Sequence, residues 1–197
     1  AWWLKPIYNH IRDALRRGDY LQVDESPIRF CQAEGGGSAQ GYVWVYHRPG
    51  AGVLFEWHTG RGAQCLEQML KDFGGTLQTD GYSAYQSYAG QRAQQIADGV
   101  DKPPIDLAAC WAHARRKFYD AQDSDARRSA EMLALVSKLY AVEREAKELD
   151  ADARLALRRE QSVPVIDEIR AWLDRESEVV LPRSPISKAI TYMQNQW

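Results

Sequence analysis

The sequence predicts an α/β protein, a mixed sheet with helices packed on it. Three observations predict it. Residues 20 to 59 read as extended segments rich in aromatic and β-branched residues, residues 63 to 110 alternate helical and strand patterns, and from Trp111 onward the apolar spacing is helical only. Each strand face and helix stripe must be buried against a neighbour, which joins the three stretches into one architecture.

The elements follow in order. Trp3, Ile7, Ile11 and Leu15 stand at helical spacing and Gly18 closes that helix. Tyr20 to Val23 alternates into Asp24, Pro27 to Gln32 continues extended, and Gly41 to Arg48 and Val53 to Thr59 are further strands. Pro49-Gly50-Ala51-Gly52 supplies a turn, giving an antiparallel meander. Gly35-Gly36-Gly37 has no following Gly-Lys-Ser/Thr and reads as a hairpin connection rather than a phosphate loop. Ala63, Leu66, Met69, Leu70 and Phe73 form one helical face that stops at Gly74-Gly75. Thr76 to Thr79 is a short strand delivering Asp80, Tyr82 to Tyr88 a short helix, and Ile105 to Cys110 another strand. Met132, Leu135, Leu139, Val142, Ala146 and Leu149 mark a long helix. Pro164 opens the next, with Ile166, Ile169, Trp172 and Leu173 inward; Ser184-Pro185 opens a last one with Ile186, Ile190, Met193 and Trp197 on one side.

Composition bounds what such a protein does. Its 197 residues are 45% hydrophobic and 26% charged, which excludes disorder and a disulfide mini-scaffold. Lys and Arg total 25 against 27 Asp and Glu, so any nucleic-acid contact is local rather than global. Three cysteines, Cys31, Cys65 and Cys110, are odd in number and spread out, as suits reduced thiols and a cytoplasmic protein. No apolar run approaches the roughly 20 residues of a membrane helix. The chain starts at Ala1 and stops at Trp197 within a helical pattern, and so reads as an excerpt of something longer.

Asp24 and Asp80 stand out because each sits where a strand pattern stops. Two readings are open. If their strands lie side by side, both carboxylates reach one sheet edge and offer hard oxygen ligands to magnesium, and a pair of metals about 3.5–4 Å apart serves phosphodiester chemistry. Alternatively they are turn or capping residues, Asp-Gly being a common turn dipeptide. Glu25 is expected on the other face from Asp24.

A second constellation is Cys110-Trp111-Ala112-His113-Ala114-Arg115-Arg116-Lys117-Phe118. Cys110 and His113 supply two zinc ligands where a structural site wants four. His113 with Arg115, Arg116 and Lys117 suits phosphate contact; a solvated helix face is the plainer alternative. The aromatics Tyr42, Trp44, Tyr46, Phe55 and Trp57 are read as cross-strand packing, with base stacking the alternative.

Taken together, residues 20 to 27 (Tyr-Leu-Gln-Val-Asp-Glu-Ser-Pro), 79 to 85 (Thr-Asp-Gly-Tyr-Ser-Ala-Tyr), 110 to 118, and 184 to 197 (Ser-Pro-Ile-Ser-Lys-Ala-Ile-Thr-Tyr-Met-Gln-Asn-Gln-Trp) resemble the central domain of bacterial transposases of the insertion sequence 66 type. The resemblance implies a ribonuclease-H-like fold and a three-acid (DDE) site that cuts and joins DNA at transposon ends. It makes Asp24 and Asp80 the first two acids and ligands of Mg2+ or Mn2+, with His113, Arg115, Arg116 and Lys117 touching DNA. The third acid, a glutamate, is expected beyond Asn-Gln-Trp, so this fragment alone is expected to be inactive; Glu143, Glu160 and Glu168 lie in no matching motif. Residues 1 to 120 are then the core, 121 to 183 a helical insertion, and 184 to 197 the start of the next helix. The implied partners are transposon-end and target DNA and further copies of the protein, in the bacterial cytoplasm without a membrane. Two other readings are a non-catalytic DNA-binding or assembly remnant and a ribonuclease-H-like nuclease unconnected with transposition.

Overall fold

A computed structural model describes residues 2–31 and 37–197. The chain divides into two compact units, Ala1–Cys110 and Trp111–Trp197.

The first unit is built on a five-stranded sheet of β1 (Tyr20–Cys31), β2 (Ser38–Arg48), β3 (Gly52–His58), β4 (Gly75–Thr79) and β5 (Ile105–Ala109), in the order β3-β2-β1-β4-β5. The first three strands form the expected antiparallel meander; β4 runs parallel to both β1 and β5. This mixed sheet is ribonuclease-H-like. The turn between β2 and β3 closes through the Ala51 amide on the Arg48 carbonyl, with Gly50 and Gly52 at positive φ. Of the Gly35–Gly37 connection, Gly35 and Gly36 lie outside the described residues.

Helix α1 (Lys5–Arg16), a short turn ending in α2 (Glu67–Leu70), and α3 (Ser83–Ala97) complete the unit. Alternation puts Leu21, Val23 and Glu25 of β1 on the buried face, where Leu15, Trp44, Tyr46, Leu66, Met69, Leu70, Phe73, Leu77 and Tyr85 form one core. Two expectations change. Tyr8, Ile11 and Leu15 make the packed stripe of α1, while Trp3 and Ile7 are exposed, because Tyr8 turns inward to hydrogen-bond the buried Glu56. Helix α3 runs well past Tyr88, because the next inward position is Arg92, buried and bonded to the carbonyls of Leu70, Lys71, Phe73 and Pro103.

The start of β4 is fixed by a close backbone approach. Gly75 has φ +115°, and a Cβ there would run into the Asp19 carbonyl, which accepts the Thr76 amide at 2.8 Å. This contact sets β4 against the start of β1.

The second unit is helical: α4 (Trp111–Asp120), α5 (Ala126–Glu145), α6 (Ala151–Leu157), α7 (Val163–Ser177) and α8 (Pro185–Asn195). Asp125 caps α5 and Ser184 caps α8, each accepting an amide from the first turn, and Pro164 lies in the first turn of α7 as expected. One core holds Phe118, Met132, Val136, Ile169, Trp172, Leu173, Ile186, Ile190 and Met193, with Phe118 edge-on to Trp172. Trp197 departs from its expected inward place and lies half exposed against the Arg170 guanidinium.

Candidate functional site

The β1–β4 pairing decides where the two aspartates stand. Tyr20 pairs with Thr76, Leu21 with Leu77 and Gln22 with Gln78. Counted on by the same offset, two residues beyond the last paired residues, Asp24 falls level with Asp80. Asp80 immediately follows β4, as expected. Asp24 does not end its strand: β1 continues to Cys31 along β2. The β4 pairing reaches only Gln22, so beyond it β1 is paired on its β2 side, and such a singly paired stretch tolerates Pro27.

Below the aspartates, Tyr20, Gln22 and Gln78 share their face in a polar ladder. The Tyr20 hydroxyl donates to Gln78 Oε1 at 2.6 Å, and Gln22 Nε2 donates to the same oxygen at 2.9 Å. This ladder ties the two strands together immediately before the acids.

One oxygen of each aspartate serves its own backbone. Asp24 Oδ1 accepts the Glu25 amide at 2.9 Å, and Asp80 Oδ1 accepts the Tyr82 amide at 2.9 Å, an Asx turn leading into α3. The turn role and the ligand role are therefore compatible in Asp80, whose Oδ2 points toward the Arg61 guanidinium at 3.9 Å.

Glu25 lies on the opposite face, as expected, and is fully enclosed. Its carboxylate accepts hydrogen bonds from the Tyr85 hydroxyl and from Arg61. Burial pushes the Glu25 carboxyl up, against the opposing pull of Tyr85 and Arg61. Burial first, then the bond to Glu25 and the charges of Glu25, Asp80 and Asp24, raise the Tyr85 hydroxyl well above its ordinary value, keeping it a donor. Both aspartates thus lie within electrostatic reach of Tyr85. Arg61 spans Glu25 and Asp80 with its guanidinium stacked 3.8 Å from the Tyr82 ring centroid. The sequence reading missed Arg61, which sits in a glycine-flanked connection with no periodic signal.

The donor set suits magnesium in kind, since two carboxylates level with each other are hard oxygen ligands. Among the described residues, no group of three or more His, Cys, Asp or Glu side chains is gathered for a metal. The three cysteines are free thiols. Of the sheet aromatics, Trp44 and Tyr46 are buried in the core, while Phe55 and Trp57 are exposed on the edge strand.

In the helical unit, Trp111, Ala114 and Phe118 turn α4 inward. Arg115 and Arg116 are exposed, Arg116 facing Asp120 at 3.8 Å, and the Lys117 ammonium sits 5.2 Å from the Tyr192 ring centroid. His113 is half buried. His113, Arg115 and Arg116 line one cleft beside α4.

The class of protein is set by the ribonuclease-H-like mixed sheet, with Asp24 on β1 and Asp80 directly after the neighbouring parallel strand β4. The chain belongs to the Transposase IS66 family, whose model matches residues 1–197. Among curated proteins it is similar to two uncharacterized proteins of Sinorhizobium fredii. It is 31% identical to y4qI over 96% of this chain and 36% of that protein, and 30% identical to y4jD over 100% of this chain and 39% of that one. The chain therefore spans under two fifths of the length of these relatives. No solved structure matches it significantly.

Proposed function

We propose that this chain carries the first two acids of a DDE-type DNA transposase that cuts and joins DNA at transposon ends. The observation that carries the reading is the level placement of Asp24 and Asp80 where β4 parts from β1. In this reading Asp24 and Asp80 hold Mg2+ or Mn2+, and a third carboxylate comes from the parent protein outside these residues. Bound metal supplies a Lewis acid that activates an attacking water or 3′-hydroxyl and stabilises charge on the leaving oxygen of the phosphodiester.

The chain's own residues supply position. Tyr85 and Arg61 anchor Glu25 beneath Asp24, and Arg61 steadies Asp80 from the side. His113, Arg115, Arg116 and Lys117 contact the phosphate backbone, giving affinity without sequence choice. The helices between residues 121 and 183 are an insertion in the catalytic core, and the protein works as an assembled complex on DNA in the bacterial cytoplasm. No described helix is long and apolar enough to cross a membrane.

The test is made in the full-length transposase containing this chain. Asp24→Ala and Asp80→Ala are each expected to reduce metal-dependent cleavage and strand transfer on a transposon-end oligonucleotide to background, with folding retained. Cleavage that survives Asp80→Ala overturns the reading. Hydrolysis without strand transfer in the unmodified protein marks a simple nuclease instead.

A further inference from the structure

The helical unit gathers cations beyond the α4 motif. Arg115 lines two clefts. One, of about 380 Å³, also includes Arg116 and Asp120. The other, of about 590 Å³, is closed by Ser137, Tyr140, Glu143 and Arg144 of α5 and by Lys147 just after it. Both clefts share Arg115.

Charge in the larger cleft is one-sided. Arg144 and Lys147 are three residues apart on successive helical turns and so face the same way as one another. Glu143 is the lone acid in the lining, and both its oxygens are taken by Arg158 at 2.7 Å. That bidentate pair neutralises the acid within the wall. Lys147 has an ion pair with Glu148 at 3.8 Å, but those side chains are 80% and 87% exposed, and such a pair yields readily to a better anion. Among the described residues Arg115 and Arg144 form no ion pair. Three cations around an open cleft repel one another, and an anion with several oxygens relieves the repulsion.

We propose that the cleft walled by Arg115, Arg144 and Lys147 binds the phosphate backbone of DNA, extending the contact surface from α4 onto the end of α5. This rests on the DNA reading of α4, since Arg115 belongs to both surfaces. An extended polyanion, rather than a free phosphate, is the ligand that would run from Arg116 past Arg115 to Lys147.

The experiment follows binding of a fluorescein-labelled DNA duplex to the chain by anisotropy, between about 50 and 200 mM salt. Arg144→Glu with Lys147→Glu is expected to weaken binding about tenfold or more, and to lower the slope of log affinity against log salt by about 1 to 2, as loss of one or two phosphate contacts requires. Circular dichroism should be unchanged, both side chains being exposed. Reversal of the exposed pair Arg159 and Arg183 should leave affinity near that of the unmodified chain. At matched ionic strength, inorganic phosphate should compete no better than chloride.

Unchanged affinity and slope in the Arg144/Lys147 variant overturn the cleft, as does an equal loss in the Arg159/Arg183 variant or specific displacement by phosphate. If Arg116→Glu with Lys117→Glu weakens binding while the cleft variant does not, the α4 surface stands and the cleft falls. If the unmodified chain binds no duplex, both fall.

Discussion

The Tyr85 hydroxyl donates a hydrogen bond to the Glu25 carboxylate, joining α3 to the buried face of β1 directly behind Asp24. Side-chain direction alternates along β1, so whatever fixes Glu25 also fixes the backbone from which Asp24 projects on the other face. Tyr85→Phe keeps the ring and its edge contact with Trp44 but leaves a buried carboxylate with one donor fewer. The expected cost is about 1–3 kcal/mol in urea unfolding. Tyr85→Phe combined with Glu25→Gln should differ from the sum of the single changes, and strict additivity would show that the pair is not coupled.

Arg92 is the other polar anchor of this unit. It is 2% exposed and donates to four backbone carbonyls and to the Tyr88 hydroxyl. Lysine lacks the planar fork that serves several acceptors at once. Arg92→Lys and Arg92→Met should each destabilise the chain by about 3 kcal/mol or more, because several buried carbonyls lose their donor. A thermal transition within a degree or two of the unmodified chain would refute this anchoring role.

How much of this was legible follows from what carried each signal. Alternation read β1 to β3 correctly, and Thr76 to Thr79 delivered Asp80 where the structure has it. The sequence pattern ends a strand at Asp24, yet β1 runs on to Cys31, because β2 pairs with it residue by residue from Gln22 to Cys31. The length of α3 was hidden because its fourth inward residue is Arg92, which breaks the apolar stripe that periodicity seeks. Helix α6 buries no residue and so left no stripe at all; its one local mark was the cap, Asp150, accepting the Ala153 amide. Asp24 and Asp80 were readable as strand-associated acids. Arg61 was not, since its role depends on Glu25 and Asp80, residues distant in sequence.

The helical unit should be sensitive to acid. Arg128 donates to Asp125 at 2.8 Å and to Glu176 at 2.7 Å, and these bonds hold both carboxyls below the usual range. A depressed carboxyl contributes stability that is present above its unfolded value and lost as pH falls through its folded one. The urea midpoint is therefore expected to be flat from about pH 7 to 5 and to decline below about pH 4. Asp125→Asn with Glu176→Gln should lower the midpoint at neutral pH and flatten the acid decline. An acid decline identical in both proteins would assign it to other groups.

The register that sets Asp24 level with Asp80 begins at Gly75, and it can be tested there. Gly75 and Gly50 both have positive φ, but a Cβ at Gly50 would meet nothing within 4 Å, whereas at Gly75 it would strike the Asp19 backbone. Gly50→Ala should thus cost only the left-handed backbone penalty, about 1–2 kcal/mol. Gly75→Ala should cost more, since β4 must also move away from the start of β1. In the full-length transposase that shift would carry Asp80 out of line with Asp24, so Gly75→Ala should depress cleavage even under conditions where both variants are folded. Equal unfolding midpoints and equal cleavage for the two variants would show that the approach at Asp19 does not hold the aspartates in register.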